Sequence, residues 1–290
     1  MNFVQPLMRI AALFLVLAVF NLAAAPLLRP LTPDQGLTQG SVNDLLLDQE
    51  GFLWLATEGG LNRFDSNQVV QVGTELASLK EISFTRLLQD STGSIFAATA
   101  TGDLYRFNRA SGYIELAGSL RQQNDQPNST FISDAFISGM VSYNSDTLLL
   151  STHHAVFRLS LIDGSHEKLF DIREAGYSDG WLRNIQYYQG YALLAAFNGV
   201  IAVNLSNNQH QYLPYLDSSM VSDDRLHSKV LSIKHNRLWI GTVHGLYSIN
   251  LDDMLAYLQH QTPYQARTEL AELNIWQVKW VDDHALIPTE

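Results

Sequence analysis

The chain has 290 residues, of which 46% are hydrophobic and 16% are charged, a composition typical of globular rather than disordered proteins. Its formal net charge of -11 argues against nucleic acid and anionic membranes as partners, because both attract basic surfaces. The lack of cysteine excludes disulfides, thiolate metal sites and cysteine nucleophiles.

The first segment of the chain is typical of an export signal. Arg9 precedes the apolar run IAALFLVLAVF, and the small residues NLAAA follow where a signal peptidase would cut. We predict a signal peptide over residues 1–24, and we expect the rest of the chain to be extracytoplasmic. Apolar character continues to Leu28, so an uncleaved signal anchor is the alternative.

The stretch DQEGFLWLATEGGLNRFD, residues 48–65, recurs along the chain in weaker form. Six reference positions repeat at intervals of 42 to 53 residues: Thr57, Thr99, Thr152, Ala196, Thr242 and Thr289. Six positions before each of them stands a residue that tolerates positive φ: Gly51, Gly93, Asp146, Gly190, Asn236 and Asp283. Tight hairpins between strands need such residues, so the sequence predicts an array of hairpins.

The strand LWLAT is apolar on both of its faces, which indicates a sheet covered on both sides. A four-stranded propeller blade is such a sheet, because each blade packs between two neighbours. We therefore predict an all-β protein: a β-propeller of four-stranded antiparallel blades over residues 25–290, with an incomplete ring of about five full blades and part of a sixth. The segment LDDMLAYLQH, residues 251–260, predicts a short helix between units five and six with Asp252 as its N-cap.

Residues 36–65, GLTQGSVNDLLLDQEGFLWLATEGGLNRFD, resemble the repeat of the two-component regulator propeller family, and residues 235–251 resemble its second half. The resemblance implies a periplasmic sensor domain of an inner-membrane protein, with a homodimeric full-length form. The implied output module, a hybrid histidine kinase or a diguanylate cyclase, is absent from these residues, so we expect the chain to be an N-terminal fragment. The family also implies that residues 26–31, PLLRPL, complete the last blade.

The candidate ligand site lies thirteen positions before each reference residue, on the first strand of each unit. These positions hold Asp44, Arg86, Gly139, Arg183, Lys229 and Trp276. Three cations at one offset predict a positive ring at the channel mouth for a small molecule or oligosaccharide with anionic groups. Trp181 and Trp276 would stack on a sugar face. Alternatively, these are ordinary polar residues on a solvated strand edge and aromatics packed between blades, since a one-residue error in the alignment turns a side chain to the other face.

The sequence contains no nucleophile elbow, zinc-protease helix, P-loop or dinucleotide fingerprint. We therefore expect no catalytic residues, no cofactor and no metal in this chain. His153 and His154 are adjacent, so on a strand they point to opposite faces, and we expect both to be exposed turn residues. Two other functions stay open: a secreted propeller enzyme, either a lyase or a hydrolase, and an envelope scaffold for protein interactions.

Overall fold

The computed structural model describes residues 31–76, 79, 82–121, 134–176, 181–196, 199–213 and 228–287. The chain divides into residues 1–32 and residues 33–290. The predicted signal peptide (1–24), all but the last residue of the closing segment 26–31, and the reference residue Thr289 lie outside the described ranges. Within those ranges, no helix is both long enough and apolar enough to cross a membrane.

Residues 33–290 begin with a short 3-10 helix, Pro33–Gln35, and continue as strands that pair with their neighbours in chain order. The first blade holds β1 (Val42–Leu47), β2 (Leu53–Thr57), β3 (Gly60–Phe64) and β4 (Val69–Val72). The second holds β5 (Phe84–Gln89), β6 (Ile95–Thr99), β7 (Asp103–Phe107) and β8 (Ile114–Ser119). The third holds β9 (Ile137–Asn144), β10 (Thr147–Thr152), β11 (Ala155–Ser160) and β12 (His166–Asp171).

The last described strands continue the same pattern. The fourth blade holds β13 (Asn184–Tyr188), β14 (Tyr191–Ala196), β15 (Gly199–Asn204) and β16 (His210–Leu213). The fifth holds β17 (Ser228–Lys234), β18 (Arg237–Thr242), β19 (Gly245–Asn250) and β20 (Arg267–Ala271). A two-stranded hairpin follows, formed by β21 (Lys279–Val281) and β22 (His284–Leu286). The predicted β-propeller of five four-stranded antiparallel blades is therefore confirmed.

The first strands of the five blades lie side by side in chain order, so they form the inner wall of the propeller. The hairpin β21–β22 lies between the fifth blade and the first. The Trp280 indole Nε1 donates to Ser232 Oγ on β17 at 3.0 Å, and Lys279 Nζ lies 2.9 Å from Asp44 Oδ1 on β1. The hairpin thus occupies the position of a sixth blade.

The hydrophobic core consists of layers between adjacent blades, as the two apolar faces of the strands predict. On β6, Ile95 and Ala97 pack toward Trp54 of the first blade, and Phe96 and Ala98 pack toward the third blade. Each of these side chains has at most 1% of its surface exposed. Because successive strand residues point to opposite faces, one short strand contributes to two layers and joins three blades.

The turns between first and second strands differ in length among the blades. Five residues, 48–52 and 90–94, join these strands in the first two blades, and the Asp48 and Asp90 carboxylates each accept two backbone N–H groups of their turn. Only two residues, 189–190 and 235–236, join them in the fourth and fifth blades. Burial opposes ionisation of Asp48, but the hydrogen bond from Trp54 and the two backbone N–H groups outweigh it and lower its pKa.

Positive φ is confirmed at four of the six predicted turn positions: Gly51 at 88°, Gly93 at 86°, Gly190 at 86° and Asn236 at 54°. The prediction is wrong for Asp146, whose φ is not positive, and for Asp283, because the neighbouring Asp282 adopts a φ of 52° instead. The third to sixth units all have two-residue turns, so these turns differ in backbone conformation and not in length.

The reference threonine caps the hairpin between the second and third strands. Thr57 Oγ1 donates to Gly60 O at 2.8 Å, and Thr242 Oγ1 donates to Gly245 O at 3.0 Å. The fourth unit has Ala196 at this position, which has no hydroxyl. A serine hydroxyl from the fifth blade binds the hairpin carbonyl instead. Ser228 Oγ on β17 lies 2.8 Å from Gly199 O and 2.5 Å from Ala196 O.

The predicted helix is confirmed at Leu251–His260 and is named α1. Its position and its cap differ from the prediction. It joins β19 to β20 inside the fifth blade, and Asn250 rather than Asp252 is the N-cap, accepting the backbone N–H groups of Asp252 and Asp253. Leu251, Met254 and Leu258 are buried against the fourth and fifth blades, so α1 extends the core at their outer edge.

We predict that Ser228→Ala lowers the free energy of unfolding by about 1–3 kcal/mol, because it leaves buried carbonyls without a donor. Urea denaturation of the full chain measures the change. The matched control is Ser228→Ala combined with Ala196→Thr, which returns the hydroxyl to its usual place in the hairpin and should recover most of the loss. A double variant no more stable than Ser228→Ala alone would contradict this account of the cap.

Candidate functional site

The first strand of each blade begins at the mouth of a central channel. The pairing of this strand with the second strand shows which residues occupy equivalent positions at the mouth. One residue in each blade pairs with the residue before the reference position: Asp44, Arg86, Gly139, Asn184 and Val230. The predicted alignment is therefore correct in the first three units and wrong by one residue in the fourth and fifth. Two-residue turns shift the pairing in the fourth and fifth blades, so Arg183 and Lys229 precede the equivalent positions. The third blade has an equally short turn, but a bulge in β9 next to that turn restores the register.

The channel contains a cavity of about 810 Å³ lined by residues of all six units. Of the predicted ligand residues, Asp44, Arg86, Lys229 and Trp276 line it. Arg183 and Trp181 are not among its lining residues; they lie at the boundary of the third and fourth blades. The predicted ligand residues therefore lie at two separate locations, the central cavity and the boundary of the third and fourth blades.

Asp44 connects three parts of the inner wall. Its Oδ2 accepts the backbone N–H of Leu87 on β5 at 2.9 Å. Its Oδ1 accepts from the Gln277 amide and lies beside the Lys279 ammonium, each at 2.9 Å. Only 5% of the Asp44 surface is exposed, so these charge-assisted bonds are poorly screened by solvent. Asp44 therefore fastens the first blade to the second and to the sixth hairpin.

Arg86 is occupied by backbone carbonyls. Its Nε donates to Ser138 O at 2.6 Å, its Nη1 to Thr85 O at 2.7 Å and its Nη2 to Arg183 O at 3.3 Å. The guanidinium therefore contacts the backbones of the third and fourth blades, and Gly139 occupies the equivalent position in the third. Burial lowers the pKa of Arg86, and its guanidinium still carries its charge at neutral pH.

Lys229 and Trp276 lie together at the channel mouth. The Lys229 ammonium is 3.1 Å from the centroid of the Trp276 ring and 2.8 Å from Asn274 Oδ1. One face of this indole therefore contacts a cation, whereas 48% of the Trp276 surface is exposed. The pair places a positive charge and an aromatic edge at the opening of the cavity.

The sequence prediction missed several polar residues that line the cavity, and two of them, Gln277 and Lys279, lie close together in the sequence. Their signal is the alternation in WQVKW, residues 276–280, where two polar side chains share one strand face. Amide groups line much of the rest of the wall, from Asn43, Gln89, Asn184 and Gln186. Together with Arg86, Lys229 and Lys279 against the single carboxylate of Asp44, they make a cavity with a positive balance in an acidic chain.

The adjacent histidines do not behave as the sequence predicts. His153 is enclosed between Phe136 and Trp181, with ring centroids 4.5 Å and 4.9 Å away, because the connection to the fourth blade folds over the hairpin turn. His154 points elsewhere and its Nδ1 lies 3.1 Å from Asp134 Oδ1. Across the described ranges, no three His, Cys, Asp or Glu side chains are close enough to hold a metal ion.

Residues 36–59 match the sequence profile of the family described as "Two component regulator propeller". No curated protein matches the chain. The matched residues comprise the best-preserved repeat of the first blade, so the profile supports the expected resemblance at the level of one repeat.

Several solved structures share the fold. The extracellular domain of BT3049 from B. thetaiotaomicron, described as a hybrid two-component system, is 17% identical with a TM-score of 0.66, and the match covers 90% of this chain and 34% of that one. The corresponding domain of BT4673 is 19% identical with a TM-score of 0.64, covering 86% and 31%. Virginiamycin B lyase from Staphylococcus aureus is 10% identical with a TM-score of 0.57, covering 81% and 73%. The chain thus spans about a third of the length of the two extracellular domains, and identities this low establish the fold alone.

We predict that Arg86→Lys lowers the free energy of unfolding by about 1.5–3 kcal/mol, because an ammonium cannot reach the three carbonyls that the planar guanidinium binds. Urea denaturation measures the loss, and Arg267→Lys on the exposed strand β20 serves as the matched control. Equal denaturation midpoints for the two variants would show that the guanidinium does not join the blades.

Proposed function

We propose that this chain is the ligand-sensing, extracytoplasmic part of a transmembrane signal-transduction protein. The observation that carries the proposal is the central cavity, which the first strands surround and which three cations, several amides and one carboxylate line. The profile match over residues 36–59 supports the same function, as does the fold shared with extracellular domains described as hybrid two-component systems. The N-terminal export signal predicted over residues 1–24 agrees with this location.

The chemistry of the cavity favours a small anionic ligand or an oligosaccharide with acidic groups. Lys229 and Lys279 supply charge, and Arg86 adds to the positive potential although carbonyls occupy its donors. Amide side chains both donate and accept hydrogen bonds, which suits hydroxyl-rich ligands. Because the chain as a whole is acidic, a positive cavity would select anions locally rather than attract every polyanion.

In this proposal the signal leaves the propeller as a population shift. A ligand that binds one arrangement of a sensor homodimer more tightly than another shifts the equilibrium by that difference in affinity. A membrane-spanning segment outside this chain would pass the shift to a cytoplasmic histidine kinase or diguanylate cyclase. The propeller itself would perform no chemistry, which separates this function from that of a propeller lyase.

Isothermal titration of the purified chain with citrate and sulfate tests this function. We expect citrate to bind, and we expect Lys279→Met and Lys229→Met each to weaken its binding about tenfold through the lost charge-assisted hydrogen bond. Cellobiose is the neutral control ligand. The matched control variant is Lys168→Met, whose lysine pairs with Glu174 on the third blade.

Two outcomes would contradict the proposal. Citrate affinity unchanged in both cavity variants would mean that the cations do not form the site. Chemical conversion of a bound probe, followed by product analysis, would instead favour the propeller enzyme.

A further inference from the structure

Three aromatic rings form a stack at the boundary of the third and fourth blades, apart from the central cavity. The His153 ring lies 23° from parallel to Phe136 and 10° from parallel to Trp181. The stack is fixed by the backbone, because Leu182 N donates to His153 O at 2.7 Å. Trp181 is the outermost ring, with 46% of its surface exposed. A rigid indole thus presents a free region to solvent beside the channel mouth.

The middle ring of the stack is uncharged at neutral pH. Burial and then the charges of His154, Arg183 and Arg86 lower the pKa of His153 to about 4. Its Nδ1 atom is buried and has no hydrogen-bond partner among the described residues. The imidazole therefore supports Trp181 as a flat neutral surface, and no proton exchange at pH 7 disturbs it.

Arg183, two residues after Trp181, has an available guanidinium. Its backbone is held, since its N–H donates to Ala195 O at 3.2 Å and its carbonyl accepts from Arg86. Its side chain makes no hydrogen bond or ion pair with any residue in the described part of the chain. Burial lowers the pKa of this guanidinium, so solvent only partly compensates its charge. A partly buried arginine without a partner loses part of its hydration, and no hydrogen bond compensates that loss unless a ligand supplies the acceptor.

Trp181 and Arg183 flank Leu182 in the segment that leads into β13. Leu182 between them is fully buried in the layer between the third and fourth blades. The Arg183 guanidinium is near enough to His153 for its charge to lower the pKa of that ring, and His153 stacks on Trp181 at 4.9 Å between centroids. The free indole surface and the free guanidinium are therefore adjacent on the surface that surrounds the mouth.

We propose that Trp181 and Arg183 form a second ligand site, for a ring that carries a carboxylate. The ring stacks on the exposed part of the indole, and the guanidinium donates two parallel hydrogen bonds to the carboxylate. Both an aromatic acid and a sugar acid have this chemistry, because an indole stacks on an aromatic ring and on the C–H face of a sugar. The site is separate from the proposed sensing cavity, since neither residue lines that cavity.

Saturation-transfer NMR and isothermal titration of the full chain test the site with benzoate and glucuronate. Benzyl alcohol and glucose are their neutral counterparts. We expect at least one acid to bind more tightly than its counterpart, and the acid that does so identifies the ligand as aromatic or sugar-like. Arg183→Gln and Trp181→Leu should each weaken that binding about tenfold. Arg183→Lys should weaken it less, because lysine keeps the positive charge but cannot donate two parallel hydrogen bonds to the carboxylate.

Control variants separate this site from the cavity and from general charge effects. Arg183→Gln should weaken benzoate or glucuronate binding by the same factor whether or not Lys279→Met is present, and Arg267→Gln on exposed β20 should leave that binding unchanged. Trp181→Phe, which keeps a ring over His153, should bind better than Trp181→Leu. The proposal is overturned if neither acid binds more tightly than its neutral counterpart, or if Arg183→Gln binds as the wild type does. Neither result would affect citrate binding that depends on Lys279. The experiments therefore test the second site and the sensing function separately.

Discussion

Hydrogen bonds between adjacent first strands hold this propeller together, and the rest of the structure depends on them. Several side chains at the mouth form hydrogen bonds with the next blade. Asp44 accepts from β5 and from the sixth hairpin, Asn184 accepts from Leu231 on β17, and Thr85 donates to Ile137 O on β9. Each such bond crosses an apolar layer between two sheets, which gives the layers a fixed register. Without these bonds the sheets could slide, because apolar packing alone is not directional.

The same bonds decide which charges are available to a ligand. Arg86 uses three of its five N–H groups to bind carbonyls, so only two remain for a ligand. By occupying the carbonyl of Arg183, it fixes the backbone of the segment that carries the second guanidinium. Lys229 contacts an indole and an amide, and Lys279 contacts a carboxylate. Structural and ligand-facing roles are thus distributed over neighbouring positions of one repeat.

Much of the fold was predictable because each unit carries its own local signals. The capping threonine, the turn glycine and the doubly apolar strand specify a hairpin and a blade without reference to other units. Long-range compensation was not predictable: Ser228 replaces the hydroxyl that Ala196 lacks, and it belongs to the next blade. The register prediction is wrong in the fourth and fifth units because their turns have two residues, whereas a bulge in β9 offsets an equally short turn in the third unit. The need for glycine at position 139 is also a long-range effect, because a Cβ there would lie 2.8 Å from the backbone N of Ile185 in the next blade.

A double-mutant cycle between Asp44 and Lys279 tests most directly the claim that mouth residues fasten the blades. The free energies of unfolding of Asp44→Ala, Lys279→Met and the double variant give the coupling between the two side chains, with other losses cancelling. The account predicts a coupling of about 1 kcal/mol or more, as measured for residues in one ion-pair network. Additivity within about 0.3–0.5 kcal/mol would mean that the two groups do not interact, and it would contradict the closure of the inner wall through Asp44.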